Sequence, residues 1–334
     1  MATMNVGGAI TPAIKHTGRV LFRPFALRKW LALGFVSMLA ELGQGGARFN
    51  SPGDMGDMDK IGRDLFQWIY HYIALIIAGV VLLFAIGLAL SWLGAVMRFV
   101  YLNQITRDPC AIREPFGRFM HLGTSFFLWK LAFGLITMLA LAVLIGLPIG
   151  LVFVTKATGN TAAIVLLVIW CVLVGLALLL GITVIDIFAR DFVATAMFAR
   201  SVRVIEGWRI VMPILRQNAG QSALYVLLLI AISFATGIAA LFALLAVGMV
   251  FLIAGGLFAL IGYGIYAAGG STWSAVLIGY IALMGTALFL AFCYAMSCVT
   301  QPFDVFRRTF ALVVLGQAEP SLATVPVGPS MQDA

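Results

Sequence analysis

Along this chain, apolar runs of about twenty residues or more alternate with short connections that hold most of the charge. A helix rises about 1.5 Å per residue and the hydrocarbon layer is about 30 Å thick, so runs of this length fit membrane-crossing helices. Six spans are predicted, at residues 30–46, 68–97, 123–154, 162–188, 222–254 and 272–297, as three hairpins in one membrane domain of residues 1–316. The first is short, and Glu41 interrupts it. Trp68, Tyr70 and Tyr72 open the second as an aromatic belt. Gly146 and Pro148 predict a bend near the far end of the third. Residues 217–303 carry no formal charge, enough chain for two crossings, with the Gly-rich stretch 255–270 at the outer surface. No turn residues near Ala246 favour a seventh span.

The stretch 186–217 departs from this pattern, because it joins two apolar runs and holds eight of the 34 charged residues. Over residues 199–216 a helical wheel gathers Val204, Ile205, Trp208, Val211, Met212 and Leu215 on one side, with Arg200, Arg203, Glu206 and Arg209 on the other. An amphipathic helix lying on the membrane surface is predicted, kinked at Pro213, with Trp208 in the boundary and Arg200, Arg203 and Arg209 among lipid headgroups. Upstream, Asp186 and Arg190 are four residues apart and can pair. Surface stretches at 14–25, 116–122 and 208–217 precede the three hairpins. Similar exit residues close the second, fourth and sixth spans: Arg98-Phe99-Val100, Arg190-Asp191-Phe192-Val193 and Pro302-Phe303-Asp304-Val305-Phe306-Arg307. A threefold repeat of one surface helix plus one hairpin follows.

Composition agrees with an all-α polytopic membrane protein, since 63% of the 334 residues are hydrophobic and only 10% charged. The net charge of +8 sits in connections rather than in one basic stripe, which argues against nucleic acid and makes membrane lipids the expected partner. Sixteen of the 21 basic residues fall on one side of the predicted topology, which places both termini in the cytoplasm by the positive-inside rule.

The chemistry-bearing residues are scattered. His16, His71 and His121 fall on different sides of the membrane, and DMGDMD lacks the spacing of a calcium loop and reads as a solvated connection. No HExxH, GxSxG or phosphate-binding loop is present, so no catalytic set, metal or cofactor is expected. None of the four cysteines lies in an outer segment, and they read as small apolar packers. Lys130 is the one basic residue within a predicted span, and Asp186 lies at matching depth, so an intramembrane ion pair between them is expected. Residues 317–334, with Pro320, Pro326 and Pro329, read as a disordered tail.

The segments LFRPF and KWLALGF, with RDFV at 190–193, resemble a group of uncharacterised bacterial integral membrane proteins. In general plan these are similar to the membrane domain found beside glycerophosphodiester phosphodiesterases. The resemblance implies a six-span helical fold in a bacterial inner membrane. No phosphodiesterase barrel is present in the chain, so the resemblance brings no catalytic carboxylates with it. Two function classes stay open: a non-catalytic scaffold that organises lipid or a partner, and a transporter or channel with a polar site near Lys130 and Asp186.

Overall fold

The computed structural model describes residues 4–23, 25–42, 58–107, 110, 112–154, 161–269 and 274–324. Among them there is helix and no strand. The helices are α1 (Ile10–Phe22), α2 (Leu27–Leu42), α3 (Met58–Thr106), α4 (Arg113–Leu141), α5 (Leu147–Val154), α6 (Thr161–Phe188), α7 (Ala194–Arg200), α8 (Val204–Gln217), α9 (Ala219–Gly269) and α10 (Ser274–Ala318). Wider π turns, Ala142–Gly146 and Ala189–Val193, join α4 to α5 and α6 to α7. Five stretches are long and apolar enough to cross a membrane: Ile77–Thr106, Arg113–Val152, Thr161–Arg200, Ala219–Ala267 and Val276–Ala318. They are compatible with a multi-pass membrane protein.

Burial is concentrated at one end of these helices. Phe99, Val100 and Tyr101 of α3, Phe119 and Leu122 of α4, the whole of residues 191–198, Tyr225 of α9 and residues 308–315 of α10 are buried together there. In four of the five candidate spans the most apolar stretch has no buried residue. Water cannot be the solvent for such surfaces, and hydrocarbon can. The packed end is thus the folded core, and the hairpins extend from it. A close backbone crossing is at Gly123, where an added Cβ would meet Val96 of α3.

The N-terminal part departs from expectation. α2 has 16 residues, about 24 Å of helix, and is not among the five candidate spans. The Tyr294 hydroxyl donates to the Leu31 carbonyl (3.0 Å), a Cβ at Gly34 would meet Cys298, and the Ser37 hydroxyl donates to Asp304 (3.3 Å). Residue numbers rise in step on both helices, so α2 runs parallel to α10 and points back toward the packed end. The outward crossing expected at residues 30–46 is therefore not what α2 makes. Its residues Leu33, Val36 and Ala40 are buried in protein instead. α1 runs the other way, starting where the Asn5 amide donates to Gln317 (3.3 Å) and ending where the Trp30 indole donates to the Leu21 carbonyl (3.1 Å). Together α1 and α2 form a helical hairpin inserted beside α10, with the Phe22 and Phe25 rings on Trp30 at its tip. Burial lowers the His16 pKa below its ordinary value, so its neutral ring presents Nε2–H to the Ile105 carbonyl (3.2 Å) and ties α1 to α3.

Other boundaries also move. The amphipathic helix expected over 199–216 is divided, because Ser201 adopts a left-handed backbone (φ 54°) that ends α7 and redirects the chain into α8. Pro213 lies within α8, which continues to Gln217. The surface stretch expected at 116–122 is the first part of α4 rather than a separate helix. α9 runs unbroken through Ala246, which leaves no reversal there, and the Gly-rich stretch to Gly269 is part of the same helix. Residues 317–324 are folded rather than disordered: α10 reaches Ala318, and Leu322 in the following short 3-10 helix is fully buried. Residues 43–57 and 325–334, including most of the DMGDMD segment, lie outside the described residues, as do the side chains of Glu41, Trp68, Tyr70 and Tyr72.

Candidate functional site

The charged residues that meet in the packed end come from the three exit motifs and the residues next to them. α3 supplies Arg98 and Tyr101, the π turn after α6 supplies Arg190 and Asp191, and α10 supplies Gln301, Asp304, Arg307 and Arg308. A π turn holds one residue more than an α turn, which rotates all that follows by about 100° and is common at functional positions. Here it lets Asp191 enter the core, 9% exposed, although the preceding Arg190 stays half-exposed. The Tyr225 hydroxyl of α9 donates to Asp191 Oδ2 (2.9 Å), and the Tyr225 ring is stacked on Phe310. The Tyr101 hydroxyl donates to Gln301 Oε1 (2.8 Å), and Gln301 Nε2 donates to the Ser297 carbonyl (3.1 Å), within the turn that Pro302 interrupts.

Around these groups lies a small cavity of about 20 Å³, room for one water-sized group. Its lining carries four guanidiniums, those of Arg98, Arg190, Arg307 and Arg308, and one carboxylate, Asp191. Aromatic faces hold two of the arginines: Arg308 sits 4.1 Å from the Tyr101 ring centre and Arg98 5.2 Å from that of Phe126. Arg98 is 6% exposed, and its Nε has no hydrogen-bond partner among the described residues. Such a donor in a buried position is costly to leave unpaired.

Arg307 also lines a groove of about 230 Å³ between α9 and α10, with Ser233, Thr236 and Gly237 on one wall and Thr300, Phe303 and Asp304 on the other. Asp304 accepts from Ser37 and is within electrostatic reach of Arg308 and Arg307. Cavity and groove thus share one guanidinium.

The residues singled out from sequence are placed differently. Asp186 is held by Arg190, the i,i+4 pair anticipated from spacing. Among the described residues Lys130 and Asp186 make no ion pair, and the Asp186 carboxylate is taken by Arg190 one turn along the chain. Lys130 is half-buried on α4 within electrostatic range of Arg98 and Arg190, and makes no ion pair among the described residues. Arg200 lies at the end of α7, where it donates to Ser321 (2.6 Å) and lies 3.9 Å from Glu319. Arg203 and Arg209 are exposed at the start and on the outer face of α8. Trp208 packs on Trp129 of α4 (5.8 Å between ring centres), and Val204, Gly207 and Val211 face protein, so only Ile205 and Met212 of the apolar stripe are exposed.

Sequence reasoning did not assign Arg98, Asp191, Arg307, Arg308, Tyr101 or Tyr225 to a site. The signal for the first three was present in the matching exit residues of alternate spans. Among the described residues, no three His, Cys, Asp or Glu side chains gather as metal ligands.

Comparison with known proteins adds a family and no activity. No curated protein and no solved structure matches the chain. Residues 4–325, nearly its whole length, match a family of unknown function, DUF7544. The chain whose three span exits converge on this arginine cavity is therefore a member of that family.

Proposed function

We propose that this chain is a non-catalytic, multi-pass protein of a bacterial inner membrane that acts as a scaffold, organising anionic lipid or a partner at the cytoplasmic face. The observation that carries this reading is the uneven distribution of charge and packing. The packed end holds the arginine cavity and the basic helix α8. Further along, the α9–α10 hairpin holds a larger cavity of about 460 Å³ lined by apolar and aromatic residues such as Phe258, Tyr263, Leu277 and Met284. A path for a polar solute needs polar groups at several depths. Arg203 and Arg209, exposed beside Ile205 and Met212, suit a headgroup layer better than bulk water. The resemblance of LFRPF, KWLALGF and RDFV to the membrane domain accompanying phosphodiesterases belongs with this reading, without its hydrolytic chemistry. A second reading, a transporter, is favoured by the polar groove with Ser233, Thr236, Thr300, Asp304 and Arg307.

Reconstitution separates the two. Purified protein in vesicles should give no flux above protein-free vesicles across a panel of ions, phosphorylated solutes and labelled lipids. Its Arg203→Gln/Arg209→Gln variant should lose about tenfold or more in preference for anionic over neutral vesicles, at about 1 kcal/mol per surface arginine. Protein-dependent flux of any panel member would overturn the scaffold reading.

Orientation is tested at Cys110, which is exposed at the packed end between α3 and α4. On intact cells a membrane-impermeant thiol reagent should leave Cys110 unlabelled and should reach it after permeabilisation. Labelling of intact cells at Cys110 would place the packed end outside.

A further inference from the structure

We propose that the cavity among Arg98, Arg190, Arg307 and Arg308 is a binding site for a singly charged phosphate ester, the phosphodiester of an anionic phospholipid whose glycerol and chains leave through the groove between α9 and α10. This rests on the reading of the chain as a lipid-organising membrane protein and names the group it holds.

Charge balance, donors and shape support it. Four guanidiniums surround the cavity against Asp191, with Asp186 on Arg190 and Asp304 near Arg307 and Arg308, which leaves one positive charge, and half-buried Lys130 adds a second within range of Arg98 and Arg190. Removing charge from water is costly unless it is balanced, so an anion completes this site. Phosphate oxygens accept several charge-assisted hydrogen bonds from arginine forks. Arg98, buried and with Nε unpartnered among the described residues, faces that cavity.

The size of the cavity, about 20 Å³, admits one phosphate oxygen rather than a whole solute. The remainder of the ligand needs another space, and the groove of about 230 Å³ that shares Arg307 supplies it. Small residues open its α9 wall, since a Cβ built at Gly237 meets nothing within 4 Å. Thr236 and Ser233 on that wall suit a glycerol backbone, and the apolar surface of the hairpin beyond suits acyl chains. A free phosphate ion would use the arginines alone, whereas a lipid would use both spaces.

The test uses the full-length protein, purified in a neutral detergent and stripped of lipid, with thermal unfolding followed against three probes. These are short-chain phosphatidylglycerol, the matching diacylglycerol without phosphate, and inorganic phosphate. Phosphatidylglycerol should raise the unfolding midpoint saturably, while diacylglycerol and inorganic phosphate should bind at least tenfold more weakly. Arg98→Gln should weaken phosphatidylglycerol binding by about tenfold or more, the loss of one charge-assisted donor. Gly237→Leu, which fills the groove and leaves every arginine in place, should weaken the lipid and leave inorganic phosphate unchanged. Gly134→Leu, on α4 where a Cβ also meets nothing within 4 Å, is the control and should bind as the wild type does.

Equal phosphatidylglycerol affinity in wild type, Arg98→Gln and Gly237→Leu would overturn the site. Should Arg98→Gln fail to fold, Gly237→Leu decides alone. Inorganic phosphate binding as tightly as the lipid would overturn the lipid source in favour of a soluble anion. Loss of vesicle preference in Arg203→Gln/Arg209→Gln, with wild-type affinity in Arg98→Gln, would overturn the interior site while leaving the lipid-organising reading in place. No lipid binding by the wild type would overturn both.

Discussion

Asp191→Asn should destabilise the protein by about 3–5 kcal/mol, the cost of leaving buried charge without its partner. Among the described residues Asp191 is the only carboxylate lining the four-arginine cavity; it is 9% exposed and accepts from Tyr225. An amide keeps its shape and one acceptor but removes its charge, so the cost falls on the arginines rather than on packing. Tyr225→Phe removes only the hydroxyl donor and should cost less, about 1.5–3 kcal/mol. Adding Arg98→Gln to Asp191→Asn should recover part of the loss, because one of the uncompensated charges is then gone. Chemical unfolding of the four members of this double-mutant cycle in mild detergent measures the coupling. Strict additivity of the two changes, or a wild-type stability for Asp191→Asn, would show that the carboxylate does not balance the arginines.

Gly123→Ala should be nearly as damaging, at about 3 kcal/mol, the upper part of the range for overpacking. A Cβ built at Gly123 lies 2.5 Å from Val96 Cγ2, 2.6 Å from its Cα and 2.9 Å from its amide nitrogen. Two of these atoms are backbone, so truncating the neighbour as Val96→Ala should not rescue Gly123→Ala, and the helices must separate. Gly34→Ala provides the contrast. Its nearest obstacle is the Cys298 sulfur, with the Cys298 Cα at an ordinary 3.4 Å, so Cys298→Ala should restore most of the stability that Gly34→Ala loses. Thermal unfolding of the single and double variants distinguishes a backbone clash from a side-chain one. Rescue of Gly123→Ala by Val96→Ala would mean that the α3–α4 crossing is looser than its geometry implies.

The exit motifs show how far a sequence can lead toward a site. Arg98, Arg190 with Asp191, and Arg307 were recognisable as matching residues at the ends of alternate apolar runs, and the structure brings them around one cavity. Their meeting was not legible, because residues more than ninety positions apart are joined only by packing. Tyr225 gave no signal at all, since one tyrosine near the start of a charge-free run looks like a membrane-interface residue. Depth alone suggests pairing Lys130 with Asp186, yet depth ignores rotation about each helix, and Arg190 takes the carboxylate.

The helical, apolar character of the chain was legible in its sequence, where six long stretches are expected to cross and five are found among the described residues, with charge gathered at their ends. These properties are local: each run has its own length and composition, and backbone groups in hydrocarbon must be satisfied within the helix. Packing between distant segments, by contrast, turns α2 back alongside α10, divides the surface helix at Ser201 and carries Asp191 inward at the π turn Ala189–Val193. One added residue in a turn rotates a helix by about 100°, so a small local choice determines which charges share a cavity. That choice is made by the close packing of neighbouring helices, a quantity that no single segment of sequence contains.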